Sequence, residues 1–507
     1  MMKIFKGILT GTVFFILLLA LLIGFNNLLE FKDSRAKIAP MLKRAGQIDV
    51  LFLGDSHAYS DIYPFELWDR YGITAYNLGN YNCTIPLSYW VMRNALDKCS
   101  PRVVVVDVNL VWEQLKLPGN SSDVHLSLDG FPLSRTKLDT LFDLMDDPAV
   151  TDNNGNSYPD LIPEFIFPLI KYHARWIDLV RGKPAPLHNR ELGGERNLEV
   201  ATPSSYEILD DAAPEQGFGF IYLRRLIEYC QGKDIRVLLV NLPYPSRNEN
   251  DEQLYTNAVQ YLADEYSVEY LDFVYMDQIV DYSTDCYDPD SHMNPSGAWK
   301  VTGFLGEHLR SQYDVPDHRE DAAYTEWHTD YDLYCRDKLQ SLREAEEPRI
   351  FLMLLSDPSF STVLILPENS SIRGNAHAMQ LLQNAGRRHL KHADMYSAVW
   401  SDSLMPLQQV SQTGGGAYMA FIDRSGPNPT VTECVGNGTL SGPFGSLSLD
   451  SDAGTVTVQG KHDSQVLSID RDADLIAAML DKETGQILYE RPLNYDHGSH
   501  HQKHHQK

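Results

Sequence analysis

A short, mainly apolar run at residues 48–53 stops abruptly at Gly54-Asp55-Ser56-His57. Apolar runs of this length are typical of strands that are buried on both faces of a parallel sheet. Ligands of open α/β sheets bind just beyond the carboxyl ends of such strands. The pattern therefore predicts an α/β fold in which a tight turn exposes the Ser56 hydroxyl at the ligand-binding edge, where it is a candidate nucleophile.

Apolar runs and amphipathic segments continue to alternate as far as about residue 312. This rhythm predicts right-handed crossovers and a mostly parallel sheet with helices on both faces, which is a three-layer α/β/α arrangement. The predicted strands are residues 48–53, 103–106, 235–240 and 268–271, and the predicted helices are residues 86–98, 220–231, 252–266 and 296–310.

A histidine that could activate Ser56 follows late in this region. A serine hydroxyl is a poor nucleophile until a base takes its proton, and the base works best when a carboxylate orients its ring. His292 lies 236 residues after Ser56, in a loop that contains Asp290 and Asp288. Because both segments follow strands of one predicted sheet, we expect Ser56 and His292 to converge. Either aspartate could orient the imidazole.

The amino-terminal segment is typical of a membrane anchor. Lys3 and Lys6 precede nineteen uncharged residues, 7–25, which is close to the roughly 20 that cross a bilayer core as a helix. Positive charge before the segment predicts a cytoplasmic amino terminus and export of the rest. Residues 24–29 offer no small-x-small cleavage site, which favours an uncleaved signal anchor over a cleaved signal peptide.

The remaining chain is long enough for two or three domains. Between residues 115 and 215 the alternation of strand and helix patterns stops. This predicts an insertion over the site that is partly helical at residues 162–179. In the carboxyl-terminal part, strands are predicted at residues 350–355, 362–366, 417–422, 455–458, 466–469 and 474–479, and the last hairpin is predicted at residues 475–480 and 486–490. The predicted units are a cytoplasmic stub and anchor (1–34), an α/β domain (35–316), a linker with an exposed helix (317–348), a mixed α/β accessory domain (349–493) and a disordered His-rich tail (494–507).

Composition excludes several classes of function. The formal net charge is −26, and such an acidic chain is a poor partner for nucleic acid, because phosphate binding needs clustered Lys and Arg. Six scattered cysteines without a C-x-x-C pair predict no zinc site, and we expect isolated core cysteines; Cys83–Cys99 and Cys230–Cys286 bridges are the open alternatives. The histidines of the tail could bind metals only opportunistically. We expect no resident metal and no cofactor.

Two segments of the chain together resemble the SGNH (GDSL-type) hydrolase superfamily. One is the Gly54-Asp55-Ser56 turn, and the other is the late Asp–His segment with the Asn294, Gly297 and Ala298 that follow it. The resemblance covers about residues 48–310 and implies Ser56 as nucleophile and His292 as base. In that family an aspartate usually stands three residues before the histidine, but position 289 is Pro289. Related cell-envelope acyltransferases resemble this chain in allowing a one-residue gap, which favours Asp290, with Asp288 as the alternative.

The resemblance also implies an oxyanion hole and a class of substrate. The Ser56 amide, Gly79 and Asn109 stand at the positions of the family's oxyanion donors, although Asn109 lacks the usual Gly-x-Asn-Asp context. An anchored SGNH domain looks like the partners of membrane-bound O-acyltransferases in alginate or peptidoglycan O-acetylation and teichoic-acid D-alanylation. The implied function is a membrane-anchored, extracytoplasmic O-acyltransferase or esterase that acts on a cell-envelope glycan through an acyl-Ser56 intermediate.

Other residues and functions remain open at this point. His57 is either a structural neighbour of Ser56 or a substrate contact, and His173, Arg175 and Trp176 form a cluster that could bind sugars or anions, or simply pack as a helix surface. The alternative function is a non-catalytic glycan-binding scaffold that recruits a membrane O-acyltransferase. An esterase acting on lipid acyl chains is a third reading.

Overall fold

The computed structural model describes most of the chain. The described residues are 2–29, 32–177, 191–203, 208–244, 252–276, 278–289, 292–386, 416–426 and 429–495. Asp290 and the His-rich segment 496–507 lie outside them.

The chain begins with a long apolar helix, α1 (Met2–Leu29), followed by a polar helix, α2 (Lys32–Lys43). The stretch Gly7–Asn26 of α1 has a mean hydropathy of 2.7, and none of it is buried against the rest of the protein. This one helix is long and apolar enough to span a membrane.

A five-stranded parallel sheet occupies the region that follows. Its spatial order is β2-β1-β3-β4-β5, with every neighbouring pair parallel, so all carboxyl ends lie at the same edge. The strands are β1 (Val50–Leu53), β2 (Ala75–Asn77), β3 (Val103–Asp107), β4 (Arg236–Asn241) and β5 (Glu269–Asp272).

Helices cover both faces of this sheet. Alternate strand residues belong to two separate apolar clusters: Val50 and Phe52 face one, whereas Leu51 and Leu53 face the other. The prediction of three α/β/α layers is therefore correct for this region. The helices, in chain order, are α3 (Ser56–Asp61), α4 (Pro64–Tyr71), α5 (Ile85–Ala95), α6 (Ser121–Leu128), α7 (Arg135–Leu144), α8 (Tyr158–Ile166), α9 (Leu169–Tyr172), α10 (Phe218–Gln231), α11 (Glu252–Tyr266) and α12 (Pro295–Tyr313).

The insertion at residues 115–215 is more helical than the sequence analysis predicted, because α6 and α7 precede the expected helical segment. The side chain of Asn120 caps α6 and that of Ser134 caps α7, each by accepting a backbone N–H of the first turn. The insertion also contacts the apolar helix, since Leu169 N donates to Asn26 Oδ1 at 2.8 Å.

Among its described residues, the carboxyl-terminal part combines three α-helices with two antiparallel sheets. The helices are α13 (Thr325–Glu344), α14 (Pro348–Leu354) and α15 (Ala376–Gly386). The strands are β6 (Ser361–Leu366), β7 (Tyr418–Asp423), β8 (Thr430–Val435), β9 (Gly438–Gly442), β10 (Gly445–Asp450), β11 (Thr455–Gln459), β12 (Ser464–Ser468), β13 (Leu475–Leu480) and β14 (Ile487–Leu493). One sheet has the order β14-β13-β6-β7-β8 and the other β12-β11-β10-β9.

Two predictions for this part were wrong. Residues 350–355 were predicted as a strand, but they belong to α14 and its carboxyl-terminal cap, because Pro348 starts a helix and a short apolar run fits a buried helix as well as a strand. The helix after residue 317 was predicted to be exposed, yet α13 buries Trp327, Tyr334 and Leu342. All six cysteines lie among the described residues, and none of them forms a disulfide.

Candidate active site

The turn after β1 places Ser56 at the first residue of α3. Gly54 has a φ of +146°, and a Cβ there would lie 2.6 Å from the Cβ of Asp107, so only glycine fits. Asp55 caps α3, with Oδ1 accepting the backbone N–H of His57 at 2.9 Å. The Gly-Asp-Ser sequence therefore has a local structural cause: it turns the chain sharply and starts a helix on the serine.

Ser56, His292 and Asp288 form a continuous hydrogen-bonded line. Ser56 Oγ lies 2.8 Å from His292 Nε2, and His292 Nδ1 lies 2.8 Å from Asp288 Oδ2. With a neutral imidazole, the serine hydroxyl donates to Nε2 and Nδ1–H donates to the carboxylate. This is the order of contacts by which a base can take the serine proton while a carboxylate stabilises the resulting imidazolium.

The contact to Asp288 differs from the preference for Asp290 in the sequence analysis. Asp288 reaches His292 twice, because its Oδ1 also accepts the backbone N–H of His292 at 3.1 Å. These two contacts fix the carboxylate and the ring together, while Asp290 lies outside the described residues. Burial raises the pKa of Asp288, but the hydrogen bonds and charge of His292 outweigh that effect, so its pKa is lowered overall. The carboxylate is therefore ionised at neutral pH.

Hydrogen bonds of Met293 and Asn294 anchor the segment that follows His292. Asn294 caps α12 by accepting from Ser296 N at 3.0 Å, and its Nδ2 donates to the carbonyl of Thr284 at 2.8 Å. Met293 N donates to the buried Asp61 Oδ1 on α3 at 3.0 Å. The helix that carries Ser56 and the loop that carries His292 are thus joined directly.

His57 lies against the imidazole of His292. The two rings stack with centroids 4.4 Å apart, and Tyr244 meets His57 edge-on at 4.8 Å. His57 Nδ1 is 3.3 Å from Asp55 Oδ1. Burial raises the pKa of Asp55, but the charge and hydrogen bonds of His57 and the hydrogen bond of Asn109 leave its pKa well below the usual range. His57 is buried, which favours its reading as a structural neighbour of the site.

Two of the predicted oxyanion donors, Gly79 and Asn109, are engaged within the protein. Gly79 N donates to Asn77 Oδ1 at 2.9 Å, and Asn109 Nδ2 donates to Asp55 Oδ2 at 2.6 Å. Gly79 itself cannot carry a side chain, because a Cβ would lie 2.8 Å from the Cβ of Ala58. Gly79 and Asn109 flank the Ser56 turn, but their oxyanion role remains a prediction.

The cluster around residue 173 lies beside the apolar helix. His173 Nδ1 is 2.9 Å from the carbonyl of Ile170, the Arg175 guanidinium lies over the Tyr172 ring, and Trp176 is 57% exposed. These residues directly follow α9, whose first residue bonds to α1. Their role in binding substrate remains a prediction.

Two contributions to the site were missed by sequence reasoning. Tyr287 stacks on His292 with ring centroids 5.4 Å apart, and its position beside Asp288 was the signal. Helix α15 contacts the loop before Asp288: Asn384 Nδ2 donates to Thr284 Oγ1 at 2.7 Å, and Gln380 Nε2 donates to Asp281 Oδ2 at 2.9 Å. No sequence signal links residues about 100 positions apart. Among the described residues, no cluster of His, Cys, Asp and Glu could hold a metal ion.

Comparison with known proteins gives little further information. No family model matches the chain, and no curated protein matches it. One similar solved structure is the crystal structure of a "putative acylhydrolase" from Bacteroides fragilis NCTC 9343, at 12% sequence identity and a TM-score of 0.27. The match covers 55% of this chain and 98% of that one. Structural similarity at this low TM-score carries no argument about the activity of this protein.

Proposed function

We propose that this protein is a membrane-anchored serine O-acyltransferase or esterase of the SGNH type, which acts on a cell-envelope polysaccharide through an acyl-Ser56 intermediate. The observation that carries the proposal is the line from Ser56 Oγ through His292 to Asp288, with both contacts at 2.8 Å. The sequence order of serine and histidine and the position of Ser56 after β1 support the same reading.

The contacts define a two-step reaction. In the first step His292 Nε2 takes the proton of Ser56, and Oγ attacks the acyl carbonyl of a donor ester. The imidazolium then protonates the leaving alcohol, and the acyl group remains on Ser56. In the second step His292 takes a proton from the acceptor hydroxyl, whose oxygen attacks the acyl-enzyme, and Ser56 leaves with the returned proton. The acceptor is a glycan hydroxyl in transfer and water in hydrolysis.

The anchor supports the extracytoplasmic placement. Lys3 and Lys6 before the apolar helix favour a cytoplasmic amino terminus, so residues after α1 would face the cell envelope. A glycan of that compartment is then the acceptor within reach. A membrane-bound O-acyltransferase that delivers the acyl group from the cytoplasmic side is the proposed partner.

The second candidate is a non-catalytic glycan-binding scaffold. It is favoured by the engagement of Gly79 N with Asn77 and of Asn109 Nδ2 with Asp55. An oxyanion hole needs donors aimed at the developing charge, and losing one typically costs about 10²–10³ in rate. In this reading the hydrogen-bonded line is present but the transition state is not stabilised.

Reaction of Ser56 with a fluorophosphonate distinguishes the two candidate functions. Full-length protein in detergent micelles is incubated with a fluorophosphonate, and its intact mass is measured. Ser56 Oγ attacks phosphorus and displaces fluoride, which adds one phosphonyl group. We expect a single adduct on the wild type and on Ser311→Ala, a control serine on α12, but none on Ser56→Ala.

The variants also separate chemistry from folding. His292→Ala should lose the adduct while keeping the thermal unfolding midpoint of the wild type within a few degrees. Folded wild-type protein that acquires no adduct contradicts the enzyme proposal and favours the scaffold. An adduct that persists in Ser56→Ala contradicts the choice of nucleophile.

A further inference from the structure

A cavity of about 400 Å³ lies between the membrane-proximal helix α2 and the Ser56 turn. Small-ligand sites in proteins typically measure about 300–1,000 Å³, so the cavity can hold one small unit of a larger ligand. Its walls come from α2, α3, α6, the segment after β2 and the segment at residues 193–195. The residues that the argument uses are Asp33, Lys37, Tyr59, Tyr81, Asp123 and Glu195.

The cavity adjoins the helix that begins at Ser56. Tyr59 is three residues after Ser56 on the same helix, and its ring meets the exposed ring of Tyr81 with centroids 5.0 Å apart. Asn80, beside Tyr81, donates its backbone N–H to the carbonyl of Gly54 at 3.1 Å. Because Tyr59 lines the cavity, a ligand there would lie about one helical turn from Ser56.

One wall of the cavity is a buried lysine held by the turn after β2. Lys37 is 6% exposed, and its Nζ donates to the carbonyl of Gly79 and, at 3.4 Å, to Asn80 Oδ1. Burial lowers the pKa of Lys37 to about 7, although Cys83 and Glu195 raise it. At and above neutral pH the lysine therefore carries only part of its positive charge.

The lining selects against two classes of ligand. Three carboxylates, Asp33, Asp123 and Glu195, face one amine, so an anionic ligand would be repelled. Leu126 is the one aliphatic side chain among the lining residues that the structure describes, so a hydrocarbon chain would find little apolar surface. What remains is a neutral ligand with many hydroxyl groups and an apolar face.

Two tyrosines supply the surface that the apolar face of such a ligand needs. Tyr81 is 46% exposed and Tyr59 is buried, and both side chains line the cavity. An aromatic ring offers apolar area together with a polar tip, which suits the C–H face and hydroxyl edge of a pyranose. Carboxylate, amide and amine groups around the rings supply acceptors and donors for the sugar hydroxyls.

We propose that this cavity binds one neutral pyranose unit of the acceptor glycan beside the acyl-Ser56 intermediate. This inference rests on the proposed function, since the bound sugar supplies the attacking hydroxyl. The acceptor oxygen bonds to the acyl carbon, its proton goes to His292 Nε2, and Ser56 leaves and recovers that proton. Because Asp33 and Lys37 lie on α2, directly after the apolar helix, the glycan is bound on the membrane-proximal side.

The test measures sugar binding in the absence of turnover. Full-length Ser56→Ala protein in detergent micelles is titrated calorimetrically with cellotetraose, tetra-N-acetylchitotetraose and tetragalacturonate. We expect at least one of the two neutral tetrasaccharides to bind with a millimolar or lower Kd, and tetragalacturonate to bind at least about tenfold more weakly. Adding Tyr81→Ala should weaken the neutral sugar by about tenfold. Tyr81→Phe, which keeps the ring, should lose less, and Tyr261→Ala, an exposed tyrosine on α11, should lose nothing.

The outcomes distinguish this inference from the proposed function. Three results would each overturn the inference: no binding of either neutral sugar, tighter binding of tetragalacturonate, or an unchanged affinity in Tyr81→Ala. In each case a fluorophosphonate adduct on wild-type Ser56 would still support the proposed enzyme. Sugar binding that depends on Tyr81 in a protein whose Ser56 does not react would overturn the acceptor role. The thermal unfolding midpoint of Tyr81→Ala is measured alongside, so that only folded protein is compared.

Discussion

The parallel α/β region at residues 50–313 and the antiparallel sheets at residues 361–493 use their strand ends differently. In the parallel sheet all carboxyl ends meet at one edge, so residues far apart in sequence, such as Ser56 and His292, can converge there. In an antiparallel sheet consecutive strands end at opposite edges. The line of Ser56, His292 and Asp288 lies entirely in the first region, which shows how topology concentrates chemistry.

The second region is nevertheless joined to that site. Helix α15 bonds to the loop before Asp288 through Asn384 and Gln380, and Lys300 on α12 joins Asp285 at 2.5 Å and Asn384 at 3.2 Å. One continuous apolar cluster also includes residues from both regions. We interpret the carboxyl-terminal region as a support for the loop that carries Asp288.

The largest effect, on kcat, should come from replacing Asp288 in the parallel region. Asp288→Asn keeps the shape but leaves Nδ1–H without a carboxylate, so we expect ester hydrolysis of p-nitrophenyl acetate to fall by about 10²–10⁴ in kcat. Asp290→Asn should stay within a few-fold of wild type. The reverse ranking of the two variants would show that Asp290 orients His292.

A smaller effect, on stability, should come from the ion network that joins the regions. Lys338 on α13 contacts Glu66 on α4 and Asp357 after α14, and all three side chains are buried. Lys338→Met leaves two buried carboxylates without their cation, which should lower the free energy of unfolding in urea by about 3–5 kcal/mol.

The matched control for that variant is an exposed pair. Lys43→Met breaks the surface contact to Glu326, and we expect a change of about 0–1 kcal/mol. Two separate unfolding transitions in Lys338→Met would show that the two regions are independent units, whereas one transition would show that they unfold together. Equal effects of the two variants would contradict the importance of the buried network.

A more local effect should follow from removing the support of α15. Asn384→Ala removes the bond to Thr284 and should cost about 1–3 kcal/mol of stability. Because the loop carries Asp288, kcat should also fall, by about three- to tenfold, with KM little changed. Gln383→Ala, the adjacent residue of α15, is the control. A loss of stability at unchanged kcat would mean that α15 only packs against the loop.

The smallest effect, on the pH dependence of stability, should come from Lys37 at the membrane-proximal end of the parallel region. The pKa of Lys37 is lowered from 10.5 to about 7 in the folded protein, so burial disfavours its charged form. That penalty is complete below about pH 7 and fades as the pH rises to about 10.5. The free energy of unfolding of the wild type relative to Lys37→Met should therefore increase by about 1 kcal/mol between pH 7 and pH 8. A constant difference between the two proteins would contradict the lowered pKa.

The sequence predicted the parts of the site that depend on local rules. Gly54 and the apolar run before it predicted the strand and turn that expose Ser56, and the helix predicted at residues 296–310 is α12. The choice between Asp288 and Asp290 could not be made in this way. It depends on how the loop turns around His292, and two carboxylates at close spacing fit the same pattern.

Predictions failed where local pattern and tertiary contact disagree. The apolar run at residues 350–355 has no period that separates a buried strand from a buried helix, and packing against α12 and α15 determined the helix. Strands β8, β9 and β10 were not predicted, because β9 and β10 begin with glycine and none of the three is fully buried.

The sequence by itself determined the apolar amino-terminal helix, the parallel α/β architecture and the pairing of Ser56 with His292, because these follow from hydrophobic periodicity, turn chemistry and the order of motifs. Only the tertiary structure decided that Asp288 contacts the imidazole, that α15 supports its loop and that Lys37 closes a cavity beside Ser56. The physical reason is that these contacts join side chains through folded backbone geometry, which no spacing along the chain encodes.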